Sequence, residues 1–202
     1  MVRRLIYIHD PMCSWCWAFN DVWQTIKRGL PADIELHYLV GGLAPDSDAL
    51  MSLDMQRSIR GHWQRIQKLL PETVFNYDFW HDCQPRRSTY PACRALIAAR
   101  MQGEPAEQAM LLAIQQAYYL QAKNPSDDAV LVACAESIGL NVSAFYEALG
   151  SEQVQQQLAS ELEFVQSLGV SSFPSLVLEQ AGKTQLLNYD YNNAEVLLSQ
   201  LR

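Results

Sequence analysis

The chain has 202 residues, 49% hydrophobic and 18% charged, enough to bury one compact core or a core domain carrying an insertion. Its 22 acidic against 15 basic side chains give a formal charge of −7, and no basic run is long enough to follow a phosphate backbone, which argues against a nucleic-acid partner. Arg3-Arg4 precedes an apolar stretch that stops at His9-Asp10-Pro11; this is shorter than the roughly 7–15 residues of a secretion-signal core, and no stretch approaches the ~20 apolar residues of a membrane span. A cytoplasmic protein without a membrane partner is expected.

Residues 3–9, centred on Leu5-Ile6-Tyr7-Ile8, read as a buried strand, and residues 13–29 as a helix that stops at Gly29-Leu30-Pro31. Ile34 to Val40 alternates as a second strand before Gly41-Gly42. Such a β-α-β unit makes its strands parallel. From 45 to 149 the pattern turns helical. A helix is expected over 47–69, then a long loop from Pro71 to Tyr90 carrying Trp80, His81 and Cys83, then helices at 91–102, 105–122, 127–138 and 143–149. Ser126, followed by Asp127-Asp128, reads as the N-cap of the third of these. Ser151 opens another long helix, with Val154, Leu158, Leu162, Val165 and Leu168 as its apolar stripe and Gly169 at its end. After Phe173-Pro174 come strands at Ser175–Glu179 and Thr184–Asp190, joined by Ala181-Gly182, and a helix at 193–201. The order is β-α-β, an all-helical block, then α-β-β-α, dividing the chain into 1–44 with 150–202 and an insertion at 45–149.

Cys13-Ser14-Trp15-Cys16 sets two thiols three residues apart where the first strand passes into a helix. Free N–H groups and the macrodipole there favour negative charge, so the first sulfur is expected to ionise below the free-thiol value of about 8.5. A thiolate that attacks well also leaves well, and a second sulfur one turn further on can resolve a mixed disulfide. The pattern points to reversible thiol–disulfide exchange. Cys83, Cys93 and Cys134 have no close cysteine partner and read as ordinary thiols, Cys134 as a core residue beside Val130, Leu131 and Ile138. A zinc site would need two more ligands, and the chain offers no second C-x-x-C or H-x-x-x-H, so no metal is expected. Trp15 is expected beside the dithiol in contact with substrate, Trp17 and Trp23 in the core. His9 and Asp10 are candidates for tuning the thiolate, with a satisfied buried histidine as the competing reading of His9. Gln115, Tyr118 and Tyr119 read as packing on the insertion.

The segments Asp10-Pro11-Met12-Cys13-Ser14-Trp15-Cys16-Trp17 and Gly169-Val170-Ser171-Ser172-Phe173-Pro174-Ser175-Leu176, with Ala117-Tyr118-Tyr119 and Asn124 between them, resemble the DsbA family, and within it the cytoplasmic FrnE-like branch. That resemblance implies an α/β thioredoxin fold with a large all-helical insertion. It implies Cys13 as nucleophile, Cys16 as resolving cysteine, and Phe173 with a cis Pro174 facing the pair and contacting substrate. It implies exchange with thiol- or disulfide-containing proteins and peptides, without a metal or organic cofactor and with glutathione as a candidate co-substrate. The dipeptide Ser14-Trp15 is neither the Pro-His of the periplasmic oxidant nor the Gly-Pro of thioredoxin, so a strongly oxidising potential is not implied.

Two other classes fit parts of the pattern. A kappa-type glutathione transferase or 2-hydroxychromene-2-carboxylate isomerase shares the scaffold but generally carries serine at the position of Cys13. A non-enzymatic module could use the cysteine pair and acidic surface to hold a metal or chaperone a partner. The residues do not fix the direction of electron flow, the natural substrate or the oligomeric state.

Overall fold

The computed structural model describes residues 3–202. The apolar run in β1 (Arg3–His9) is buried on both faces because it runs through the middle of a sheet. On one side it pairs in parallel with β2 (Ile34–Val40), Leu5 opposite Leu36; on the other it pairs antiparallel with β3 (Ser175–Gln180), Leu5 opposite Leu178. An outer strand, β4 (Lys183–Leu186), completes the order β2-β1-β3-β4. The parallel β1–β2 pair is the one expected from the β-α-β start. The hairpin between β3 and β4 turns at Ala181 and Gly182, both with positive φ, as a tight two-residue connection requires.

Side chains alternate across the sheet. Leu5 and Tyr7 pack with Phe19, at the junction between α1 (Ser14–Ala18) and α2 (Asn20–Gly29), with Val22, Trp23 and Ile26 of α2, and with Leu197 and Leu198 of α10 (Glu195–Leu198). Ile6 and Ile8 pack on the opposite face against Val177 and against Val165 of α9 (Glu152–Ser167). Each such aliphatic side chain contributes about 1.5–3 kcal/mol on full burial.

Between β2 and α9 lies the helical block: α3 (Leu53–Leu69), α4 (Phe79–Asp82), α5 (Tyr90–Arg100), α6 (Glu104–Tyr119), α7 (Asp128–Ser137) and α8 (Val142–Leu149). Its core centres on Trp63, whose ring lies 4.9 Å from Phe75 and 5.0 Å from Trp80, with Tyr118 and Tyr119 edge-on. That core runs on into Met12, Ala18 and Val40, so insertion and sheet share buried surface next to the cysteine motif. A buried charge cluster binds them as well. Arg100 donates to Glu161 at 2.6 Å and to Glu107 at 2.7 Å, and Glu161 also accepts the Val40 N–H at 3.0 Å.

Several elements differ from their expected form. The first helix is split at Phe19, whose N–H is shared between the Trp15 and Cys16 carbonyls. The helix expected from 47 begins at Leu53, capped by the Ser52 hydroxyl, because the preceding residues pair across the loop instead: Leu50 bridges Arg86 and Met51 N–H donates to Pro85 O at 2.8 Å. The loop over 71–90 contains α4. Ser126 caps nothing, since its hydroxyl donates to the Ser88 carbonyl at 2.7 Å and Asp127 occupies the N-cap of α7. β4 ends at Leu186 and α10 spans Glu195–Leu198, both shorter than the periodicity suggests. Cys134 is buried as expected.

Candidate active site

The chain leaves β1 through Asp10-Pro11-Met12, a turn closed by Cys13 N–H donating to the Asp10 carbonyl at 3.0 Å. Cys13 takes the N-cap position of α1 with extended backbone, and its carbonyl accepts the Trp17 N–H at 3.0 Å. Cys16 lies on that first turn. Both thiols are free and close together, but they are not equivalent: Cys13 is 6% exposed and lines a cavity, whereas Cys16 is 0% exposed. Burial pushes the Cys16 thiol well up, and the Cys13 thiol beside it adds to the shift. Cys16 therefore rests as a neutral thiol and loses its proton only as it reacts.

The Phe173-Pro174 peptide is cis, and the carbonyl before the proline faces the motif, accepting a hydrogen bond from Cys13 Sγ at 3.4 Å across 160 residues of sequence. The Pro174 carbonyl accepts the Tyr189 hydroxyl at 3.0 Å, and Ser175 Oγ donates to Ser172 O at 2.7 Å, fixing both ends of the loop. The Phe173 ring lies directly over Gly41. An alanine Cβ there would stand 2.1 Å from ring atom Cε1, so only glycine leaves room for this packing.

Asp10 is fully buried and accepts from four groups: Met12 N–H at 2.8 Å, Leu43 N–H at 2.8 Å, Thr89 Oγ1 at 2.7 Å and, more distantly, Cys93 Sγ at 3.7 Å. Burial raises its pKa and these hydrogen bonds partly oppose the rise. Its charge is among the lesser causes that raise the Cys16 thiol, and its carboxylate also holds together the cysteine turn, the segment after β2 and the start of α5. His9 is buried beneath the site and stacks on Tyr7 at 5.0 Å. Neither ring nitrogen has a hydrogen-bond partner, and burial, then Arg100, lowers its pKa to about 3. The imidazole is thus neutral near pH 7 and offers the dithiol neither charge nor hydrogen bond. Trp15 is half-buried, lines the cavity and sits 5.3 Å from Tyr191. Trp17 is also half-buried, stacked on Tyr119 at 5.5 Å with its indole N–H on Val74 O, while Trp23 is in the core. Cys93 is buried against Asp10, and burial followed by that carboxylate pushes its thiol well up, which makes it unreactive.

The cavity beside Cys13 measures about 300 Å³ and is walled by Met12, Trp15, Phe173 and Tyr118, and by residues of α3 and of the loop before α5. Sequence reasoning passed over Gly41, Thr89 and Arg87. Gly41 and Thr89 carry no local signature. The adjacent pair Arg86-Arg87 in an otherwise mixed loop was a readable signal for a positively charged wall. Among the described residues no group of three or more His, Cys, Asp or Glu side chains is arranged to hold a metal ion, and no helix is long and apolar enough to cross a membrane.

Comparison with known proteins follows this geometry. A family model described as Thioredoxin matches residues 6–197. A solved structure from Nitrosomonas europaea, provisionally assigned as a protein disulfide isomerase, is similar with a TM-score of 0.86 and 26% identity, over 100% of this chain and 96% of that one. The cytosolic disulfide reductase DsbM from Pseudomonas aeruginosa has the same fold, with a TM-score of 0.76 at 23% identity over 92% of this chain and 89% of its own, and it has also been solved with GSH. Among curated proteins, the ClpXP adapter protein SpxH of Bacillus subtilis (strain 168) is 24% identical over 95% of this chain. The chain spans 65% of the length of that relative and 56% of its counterpart in Halalkalibacterium halodurans.

Proposed function

The chain belongs to the thioredoxin family, on its DsbA-like side, and from that premise we propose that it is a cytoplasmic thiol–disulfide oxidoreductase in which Cys13 is the exchanging sulfur and Cys16 the resolving one. The observation that carries this reading is the asymmetry of the pair: one thiol opens on a cavity against the Phe173 carbonyl, the other is sealed behind it.

When the pair is oxidised, a substrate thiolate attacks Cys13 Sγ, the Cys13–Cys16 bond breaks, and the electron pair leaves on Cys16, which takes a proton. In the opposite direction Cys13 thiolate attacks a substrate disulfide, and Cys16 then loses its proton and displaces the substrate sulfur. Burial costs the Cys16 thiolate its solvation, so once formed it is a strong nucleophile toward the neighbouring mixed disulfide. Trp15, Phe173 and Pro174 border the reacting sulfur and are proposed to contact the substrate, while His9 and Asp10 support the turn from below. The insertion over 45–149 forms the far wall of the cavity. Protein disulfides are the proposed main substrates, reduced by the dithiol form, and glutathione is the thiol that recycles the oxidised pair, a reading supported by the GSH complex of the DsbM relative.

Mass spectrometry of trapped adducts tests the assignment. Cys16→Ser should accumulate a mixed disulfide on Cys13 with glutathione or substrate, and Cys13→Ser should give neither adduct nor turnover. Equal trapping by both variants would refute the division of roles.

A second reading follows from the SpxH relatives, which match nearly the whole chain: binding of a partner protein independent of redox turnover. A double serine variant at Cys13 and Cys16 that keeps partner binding intact would favour it.

A further inference from the structure

The wall of the cavity beside Cys13 carries the opposite charge balance to the chain as a whole. Acidic side chains outnumber basic ones 22 to 15 over the sequence. Yet no aspartate or glutamate lines this cavity, whereas Arg86, Arg87 and His62 all do. Arg86 is already committed, since its guanidinium pairs with Asp127 and donates to Ser126 O at 2.8 Å. Arg87 makes no ion pair or hydrogen bond among the described residues. Arg87 lines the cavity together with Cys13 and Tyr118, and its charge opposes the upward push that burial gives to Asp10 and Tyr118. Ser14 and Ser172 add hydroxyl groups to the same wall. The volume of about 300 Å³ stands at the lower end of the ~300–1,000 Å³ typical of small-molecule sites, which suits a compact ligand better than a folded partner.

We propose that this cavity binds the small thiol that exchanges with Cys13, and that Arg87 selects thiols bearing carboxylates, a thiol of tripeptide size being the chemistry that fits. The inference rests on the reading of Cys13 as the exchanging sulfur. A planar guanidinium with no partner accepts a carboxylate in paired N–H···O bonds, and a positively walled cleft concentrates anions at the reactive sulfur. Two thiols are consumed per cycle. The first, as thiolate, attacks Cys13 Sγ of the disulfide form; the sulfur–sulfur bond to Cys16 breaks and Cys16 takes a proton. The second attacks the small-thiol sulfur of the mixed disulfide and releases Cys13. The two thiols are oxidised to their disulfide, and their two electrons reduce the cysteine pair.

The test uses the full-length oxidised protein, mixed with reduced glutathione or with glutathione diethyl ester at equal thiolate concentration, and quenched by alkylation for mass analysis. Glutathione is expected to reduce the wild type about tenfold or more faster than the ester, a preference that shrinks as salt rises. In Arg87→Gln the ratio should fall toward one, and Arg87→Lys should keep much of it. Because the ratio is taken within each protein, a general loss of activity cancels. A wild-type ratio near one overturns the proposal, and that arm decides even if the Arg87 variants fail to fold. If Arg87→Gln slows exchange with a cysteine-containing acidic peptide more than with glutathione, the cavity serves a protein substrate and the proposal is again overturned. Dithiothreitol separates the two levels: failure to be oxidised by the pair sinks the exchange reading itself, whereas normal exchange with a ratio of one sinks only the selectivity.

Discussion

Gly41→Ala would put a methyl group where the Phe173 ring already lies. The new Cβ would stand 2.1 Å from Cε1 and 2.2 Å from Cζ; carbon atoms in contact sit at about 3.5–4.0 Å, so the ring or the strand end must move by roughly 1.5 Å. Forcing extra volume into packed surroundings costs about 1–3 kcal/mol. The Gly41 N–H would still donate to His9 O, so the disturbance falls on Phe173 and on the carbonyl that meets Cys13 Sγ at 3.4 Å. Urea melts should therefore show a loss of about 1–3 kcal/mol, and stopped-flow reduction by dithiothreitol should slow by about tenfold, which is about 1.4 kcal/mol of barrier. A double-mutant cycle isolates the cause. In a Phe173→Ala background the ring is gone, and the alanine at 41 should cost little, giving a coupling of at least about 1 kcal/mol. If Gly41→Ala costs the same in both backgrounds, the close approach is not what requires glycine, and the reasoning fails.

Two further perturbations probe the supports of the site. His9 has a folded pKa of about 3 against an ordinary value of about 6.5, so between these the unfolded chain binds the extra proton and stability falls as pH falls. From pH 6.5 to 5 the loss due to His9 is about 2 kcal/mol, and His9→Phe, which keeps the stack on Tyr7, should remove it; the raised carboxyls of Asp10 and Glu107 act with the opposite sign but are common to both proteins and cancel. Parallel pH profiles for wild type and variant would show that His9 is not held neutral. Arg100→Met would strand Glu107 and Glu161 as buried carboxylates without a counter-ion and should cost about 3–5 kcal/mol at pH 7 by chemical denaturation. A loss below about 1 kcal/mol would mean that the cluster is not structural.

What the sequence made legible is what is local or strongly periodic. Leu5-Ile6-Tyr7-Ile8 followed by the cysteine motif specifies a strand-to-helix junction within a dozen residues, and the stripe from Val154 to Leu168 specifies α9 on its own. The illegible parts depend on partners distant in the chain. Ser126 carries every local mark of an N-cap, yet the Ser88 carbonyl takes its hydroxyl. Residues 47–52 carry helical spacing, but pairing with Pro85 and Arg86 pulls them out of the helix. Asp10 beside a reactive cysteine suggests electrostatic tuning, and its charge is among the causes that raise the Cys16 thiol; that it also ties Leu43 and Thr89 to the cysteine turn depends on partners distant in the chain. Gly41 follows a strand as any turn glycine might, and only the arrival of Phe173 explains it.

The span of 160 residues between Cys13 and the carbonyl of Phe173 also sets a schedule for the newly made chain. At synthesis rates of about 5–20 residues per second, roughly 8–32 s pass between the emergence of the two partners. Through that interval both thiols of the motif exist without the loop that later faces them, and Asp10 waits for Leu43 and then Thr89 before the turn is held. The cysteine pair is translated well before the loop that completes its surroundings. The walls around the two thiols are therefore a property of the finished molecule.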